Sequence, residues 1–122
     1  MIDGFGQSFP KRLRLIKAAE FKKVFADPIK SSDRYFTILI IRNEQVYPRL
    51  GLAIARKTVK KAVRRNALKR MIRESFRLHQ HDLACFDIVV LARIEALDAR
   101  SNILRSSLEK HWQKAVKKCA RH

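Results

Sequence analysis

Apolar positions recur along this chain with two different periods, and the alternation between them outlines the fold. Residues 18–25, AAEFKKVF, place Phe21, Val24 and Phe25 at i, i+3 and i+4, the spacing of one helical face, and Pro28 ends the segment. A short edge strand is predicted over residues 29–32. Residues 35–42, YFTILIIR, are β-branched and aromatic on both of their alternating faces and predict a strand that is covered on both sides. The polar residues 43–48 suit an antiparallel hairpin into a further strand, residues 49–56, RLGLAIAR. Here Leu50, Leu52 and Ile54 form a large apolar face, whereas Gly51, Ala53 and Ala55 form a face nearly without side chains. That second face predicts a close approach, either by the short helix or by an extended strand of substrate. Residues 85–93, CFDIVVLAR, read as an interior strand. A last helix starts at Asp98 or Ser101 and runs to Cys119, with Leu104, Leu108, Trp112, Ala115, Val116 and Cys119 on its core face.

Between the last two strands lies residues 56–77, RKTVKKAVRRNALKRMIRESFR, around which the other elements are organised. A step of about 100° per residue puts Leu68, Ile72 and Phe76 on one side, flanked by Met71, and Asn66, Lys69, Arg70, Arg73 and Arg77 on another. Arg65 shares the meridian of Leu68 but precedes it by a turn, so it should project past the edge of the core. A solvated face mixes signs through Glu and Lys pairs, whereas Glu74 is the only acid in this stretch. The face therefore reads as a row of phosphate contacts more than as a solvated surface.

The element order is αβββαβα, an α+β sandwich with a central sheet, and the basic helix forms a crossover between parallel strands. Residues 1–15 carry two glycines, Pro10, Lys11, Arg12 and Arg14 and are expected to form a flexible basic arm; residues 16–120 form one domain. The formal net charge of +17, from 28 Lys and Arg against 11 Asp and Glu, gives a pI near 10.8 and asks for a polyanionic partner. Cys85 and Cys119 share no metal or redox spacing, so free thiols in a reducing cytoplasm are expected. No apolar run approaches a membrane span, and the N-terminus lacks the order of a signal peptide.

Nothing in the residue pattern carries chemistry. The acids are scattered, His79 and His81 are two positions apart instead of four, His111 stands alone, and no glycine-rich phosphate loop or nucleophile signature is present. What remains is an RNA-binding protein without catalytic residues or a metal site of its own. A ribosomal protein binding rRNA is the main alternative, and a general RNA chaperone a further one.

The sequence closely resembles the bacterial ribonuclease P protein component. The resemblance is carried by Phe9-Pro10, Arg14-Leu15, Glu20-Phe21, Val24-Phe25, residues 48–52 (PRLGL), residues 65–77 (RNALKRMIRESFR) and residues 86–90 (FDIVV). Ala67 departs from the family's Arg-Asn-Arg signature, leaving any contact of that third arginine missing or taken over by Arg64 or Lys69. The resemblance implies an unusual left-handed βαβ crossover in a fold like the second domain of ribosomal protein S5. It also implies partnership with a catalytic ribonuclease P RNA that uses Mg²⁺, bound mainly by the RNA, to cleave the 5′ leader from precursor tRNA, with no obligate protein partner. By matching position, Arg14, Arg56, Lys57, Lys61, Arg65, Asn66, Lys69, Arg70 and Arg73 would lie against the catalytic RNA. Phe21, Phe25, Thr37 and Leu39 would line the cleft for the single-stranded leader.

Overall fold

The computed structural model describes residues 11–120 except 56 and 58. Three α-helices and four strands follow in the order α1 (Ala18–Ala26), β1 (Ile29–Ser32), β2 (Phe36–Arg42), β3 (Arg49–Ala53), α2 (Ala62–Leu78), β4 (Phe86–Ala92) and α3 (Ser101–Ala120). The strands form one mixed sheet in the spatial order β1-β2-β4-β3. Its central pair explains the continuous apolar runs of β2 and β4. Phe36, Ile38, Ile40, Ile88 and Val90 face a large core under α2 and α3. Leu39 and Val89 face a smaller core with Leu15 and with Val24 of α1. A central strand covered on both faces has no polar side to alternate with.

The expected hairpin between β2 and β3 does not form. β4 inserts between them, antiparallel to β2 and parallel to β3, with Leu39 opposite Val89 and Gly51 opposite Val89 on the other side. Turn chemistry at residues 43–48 is compatible with a hairpin, but β4 is the more apolar strand and gains by having a neighbour on each edge. A charge fixes that register: Arg49 pairs in the ladder with Asp87, and its guanidinium binds both carboxylate oxygens, Nε to Oδ1 at 2.9 Å and Nη2 to Oδ2 at 2.7 Å. Asn43 closes the far side by donating to Asp87 Oδ1 at 2.7 Å. The strand, helix and parallel strand unit around α2 is as predicted.

Residues 11–15, assigned from sequence to a flexible arm, are docked. Lys11–Leu13 form a 3-10 turn, the N–H of Leu15 donates to the Leu50 carbonyl at 2.9 Å, and Leu13 and Leu15 are buried. Glycine and charge content hid two leucines that each belong to a different core. Residues 1–10 lie outside the described residues. The basic helix begins at Ala62, and the segment before it is a connection whose Val59 is wholly buried.

On α3, Leu104, Leu108, Trp112 and Ala115 are buried as expected, whereas Val116 is 37% exposed and the side chain of Cys119 is outside the described residues. Two polar residues join that core face. Ser107 donates to Asp33 Oδ2, and His111 is buried with Nδ1 2.7 Å from Ser31 Oγ and Nε2 3.1 Å from Asp33 Oδ2. Trp112 donates from Nε1 to Ser75 Oγ at 2.9 Å and meets Phe76 edge-on, tying α3 to α2.

Candidate nucleic-acid interface

α2 divides its residues between core and solvent by their angular position. Leu68, Ile72 and Phe76 are buried, while Asn66 and Arg70 are exposed and Lys69 and Arg73 are half-buried at the edge of the sheet. Lys57 and Lys61 are exposed in the connection before the helix, and Arg56 lies outside the described residues. Arg65 does leave the core edge, but its guanidinium turns back: Nη1 donates to the carbonyls of Val59 and Lys60, both at 2.9 Å. It therefore holds the loop that enters the helix, and its contribution to the basic face is partly committed.

The aromatic side is built by α1. Glu20 Oε1 accepts from the N–H groups of Ile16 and Lys17, both at 2.9 Å, closing the first turn of the helix. Those two backbone donors, with the Arg49 charge behind them, hold the Glu20 carboxyl below its ordinary value. Its other oxygen, Oε2, accepts from Arg49 Nη1 at 2.8 Å. Arg49 is thus shared between α1 and β4, and hydrogen bonding to Asp87 raises its pKa. This Glu20–Arg49–Asp87 bridge seats Phe21 on the bare face of β3, where a Cβ at Gly51 would fall 2.6 Å from the Phe21 ring. Of the two approaches predicted for that face, the short helix is the one that occupies Gly51.

The predicted leader-binding residues separate by depth. Phe25 is 46% exposed and Thr37 is half-buried beside Ser32, whose hydroxyl donates to it at 3.2 Å. Leu39 is only 4% exposed and packs in the smaller core. It supports the cleft from below and cannot offer a side chain to a strand above it, because Val24 of α1 belongs to the same packed cluster. Strand alternation correctly put Thr37 and Leu39 on one face; helix coverage of that face was not readable from alternation.

Phe21, of the predicted leader residues, meets Arg14, Lys69 and Arg73, of the predicted RNA contacts, at one place. A cleft of about 220 Å³ is walled by Phe21, Leu15 and Ile16 on one side and by Lys69 and Arg73 of α2 on the other, with Arg14 at its margin and Leu50 and Leu52 as floor. Burial, and then the neighbouring Arg14 charge, push the Arg73 guanidinium below its ordinary value. A half-buried guanidinium beside a second cation is a place where an anion is favoured. A flat aromatic wall beside such a site can take a base while the cations take its phosphate. Sequence reasoning missed Arg49 and Glu20 as the residues that set this geometry; the visible signal was Asp87, an acid in the middle of an interior strand.

No group of His, Cys, Asp and Glu among the described residues could hold a metal ion. Glu20 and Asp87 are consumed by Arg49. Asp33 is engaged by Ser107 and by the N–H groups of Tyr35 and Phe36 at 2.8 and 2.9 Å. The Ser31, His111, Asp33 series has the order of a nucleophile, base and acid, but Ser31 is 3% exposed and His111 1%, sealed between β1 and α3. It is a packing device.

A layered α+β protein with one cationic helix face and an adjoining aromatic cleft, and with Glu20, Asp33 and Asp87 spent on structure, belongs to the class of RNA-binding subunits. Comparison with known proteins gives the particular kind. The sequence model of the family described as Ribonuclease P matches residues 9–116. The chain is 45% identical over 119 residues to the ribonuclease P protein component of Methylococcus capsulatus, covering 98% of this chain and 93% of that one. Its structure is similar to that of a Staphylococcus aureus RNase P protein mutant described as defective in mRNA degradation activity (TM-score 0.81, 32% identity, 93% of this chain and 96% of that one). It is also similar to the RNase P protein from Thermotoga maritima (TM-score 0.75, 32% identity, 83% and 96%). The chain belongs to the ribonuclease P protein family. The ribosomal alternative draws no support from these relatives.

Proposed function

We propose that this chain is the protein subunit of ribonuclease P and assists a catalytic RNA in removing the 5′ leader from precursor tRNA. The observation that carries the reading is the cleft in which an aromatic of α1 faces cations of α2, in a chain of this family. Lys57, Lys61, Asn66, Lys69, Arg70 and Arg73, together with Arg14 and Arg56, supply donors for the phosphates of the catalytic RNA. They replace diffuse counterions where two RNAs approach, which lowers the cation demand of assembly. Arg65 contributes from its loop-bound position. Phe21, Phe25 and Thr37 meet the single-stranded leader, and Leu39 fixes the floor beneath them. Contacts made to the leader act on precursor and not on mature tRNA, so they favour substrate over product.

Hydrolysis belongs to the RNA. Glu20, Asp33 and Asp87 are engaged in ion pairs and hydrogen bonds, and no cluster of His, Cys, Asp and Glu among the described residues fits a Mg²⁺ site, so the metal is assigned to the RNA partner. No helix of the described residues is long and apolar enough to cross a membrane. A cytoplasmic location suits a tRNA-processing subunit with these features.

The test is reconstitution. The purified chain, a ribonuclease P RNA and 5′-labelled precursor tRNA are combined at low Mg²⁺, with each component omitted in turn. Cleavage at the mature 5′ end only with RNA and protein together is the expected result. Failure of the chain to stimulate an RNA that is competent at high Mg²⁺ would overturn the reading.

A further inference from the structure

The basic helix carries a second, opposite edge that the proposed contacts leave unused. Val63, Ala67 and Met71 follow one another at i, i+4 and i+8 along α2, and Val63 is 80% exposed despite lying in the most cationic part of the chain. Together with Leu97 and Leu104, from the segment before α3 and from α3 itself, they enclose a groove of about 180 Å³. Its walls are apolar. The exceptions are Ser101 and Arg64, whose Nη2 donates to the Leu97 carbonyl and so ties the α2 side of the groove to the other.

An apolar slot of this size is below the roughly 300–1,000 Å³ of pockets for drug-sized ligands. It suits one flat ring system. Exposed Arg64 lines the α2 side, and exposed Lys60 and Lys61 lie just before it in sequence; these charges attract a phosphate backbone. Glu95 and Asp98, exposed and next in sequence to the lining residues Ala96, Leu97 and Ala99, repel phosphates but can accept hydrogen bonds from the exocyclic amines of a base edge. A second copy of the chain would bring its own charge of +17 to the same place and is disfavoured. Unstacked bases are what RNA presents to protein pockets, and arginine planes are among the surfaces on which they stack. We infer that the groove between α2 and the start of α3 receives a single unstacked base of the ribonuclease P RNA, with Arg64 stacked at its mouth.

This rests on the proposed function, and it gives Ala67 a meaning opposite to a missing contact. If position 67 merely lacks a phosphate contact, Ala67→Arg should tighten RNA binding and steepen its salt dependence. If the position is the wall of a base pocket, filling it should hurt whatever charge is added.

The experiment measures affinity of the full chain for ribonuclease P RNA across a salt series, for the unsubstituted protein, Ala67→Leu, Ala67→Arg and Val63→Ser. Leucine is a strong helix former at an exposed helical site, and circular dichroism checks that each variant folds. The expected result is a loss of roughly tenfold for Ala67→Leu, within the range for losing one stacked base, with the slope of log K against log salt unchanged. Val63→Ser, which strips a wall without blocking the slot, should weaken binding in the same slope-neutral way. Unchanged affinity in Ala67→Leu and Val63→Ser, or tighter binding in Ala67→Arg, overturns the inference and leaves the groove to a protein partner. Failure of the unsubstituted chain to bind the RNA would instead overturn the ribonuclease P reading, and this inference with it.

Discussion

Gly51→Ala is a one-methyl test of how the cleft is set. The backbone there is ordinary strand, so alanine is conformationally acceptable and the cost is steric. The new Cβ would lie 2.6 Å from Phe21 Cε1, 2.8 Å from Phe21 Cζ and 3.2 Å from Leu15 Cβ. Carbon pairs rest at about 3.5–4.0 Å, so the ring must retreat by roughly 1 Å. Leu15 cannot give way easily, because its N–H is bonded to the strand at Leu50. Overpacking of this kind costs about 1–3 kcal/mol, and the loss of glycine's unfolded-state freedom returns about 0.4–1. A net loss of about 1–2 kcal/mol should lower the Tm of a chain of this length by roughly 3–10 °C in calorimetry. The displaced ring also moves the aromatic wall, so affinity for precursor tRNA should fall while affinity for mature tRNA stays. A double-mutant cycle isolates the cause: Phe21→Ala removes the obstacle, so Gly51→Ala should cost little in that background, with a coupling of about 1 kcal/mol or more. Strict additivity of the two substitutions, or an unchanged Tm in Gly51→Ala, would refute the close packing of Phe21 on β3.

Arg49→Ala leaves Asp87, 2% exposed, as a buried carboxylate without its cation and releases Glu20 of α1; a loss of about 3 kcal/mol in urea unfolding is expected. Arg70→Ala should weaken assembly with ribonuclease P RNA, flatten the log K against log salt slope by about 0.7–0.9, and be rescued by added Mg²⁺. Stability should fall in two steps on acidification, read as Tm against pH. Burial lowers the His111 pKa against the opposing pull of Asp33, so the unfolded chain binds that proton more readily and stability present above about pH 6.5 is lost below it. Burial tends to raise the Asp33 pKa, but the Ser107 hydroxyl and two backbone donors bring it from 3.8 down to about 2, so its contribution is present above pH 3.8 and lost towards pH 2. Because that carboxylate is partly exposed, the second step is about 1–2 kcal/mol. Trp112→Phe strands the Ser75 hydroxyl against α3 and should cost about 1–3 kcal/mol by thermal melting.

Residues 18–26 and 29–32 could be read from sequence nearly to the residue, because each has a local cause: helical spacing ended by Pro28, and a β-prone stretch bounded by turns. What was hidden depends on pairs distant in sequence. The placement of β4 between β2 and β3 follows from the Arg49–Asp87 bond across 38 positions, and no local pattern distinguishes that from a hairpin. Leu13 and Leu15 look like part of an arm until Leu50 and Val89 are beside them. His111 looked isolated because its partners, Ser31 and Asp33, are some 80 positions away. The basic face of α2 was legible because a cationic helix face needs only angular position and charge, both of which the helical repeat reveals.

Phe21, from the residues proposed for the leader, and Arg14, Lys69 and Arg73, from those proposed for the catalytic RNA, line one cleft. Phe21 reaches the wall of Lys69 and Arg73 because Arg49 draws Glu20, one residue before it, down to the sheet. Arg14 comes to the same cleft because Leu13 and Leu15 anchor the chain on either side of it. Burial, and then the neighbouring Arg14 charge, hold the Arg73 guanidinium below its ordinary value, and an anion in the cleft would oppose that shift. On the proposed function, occupancy by the leader and assembly with the RNA would both draw on the cations of this cleft. Neutralising Arg73 should weaken both, whereas Arg70, on the exposed face away from the aromatic wall, should affect assembly alone.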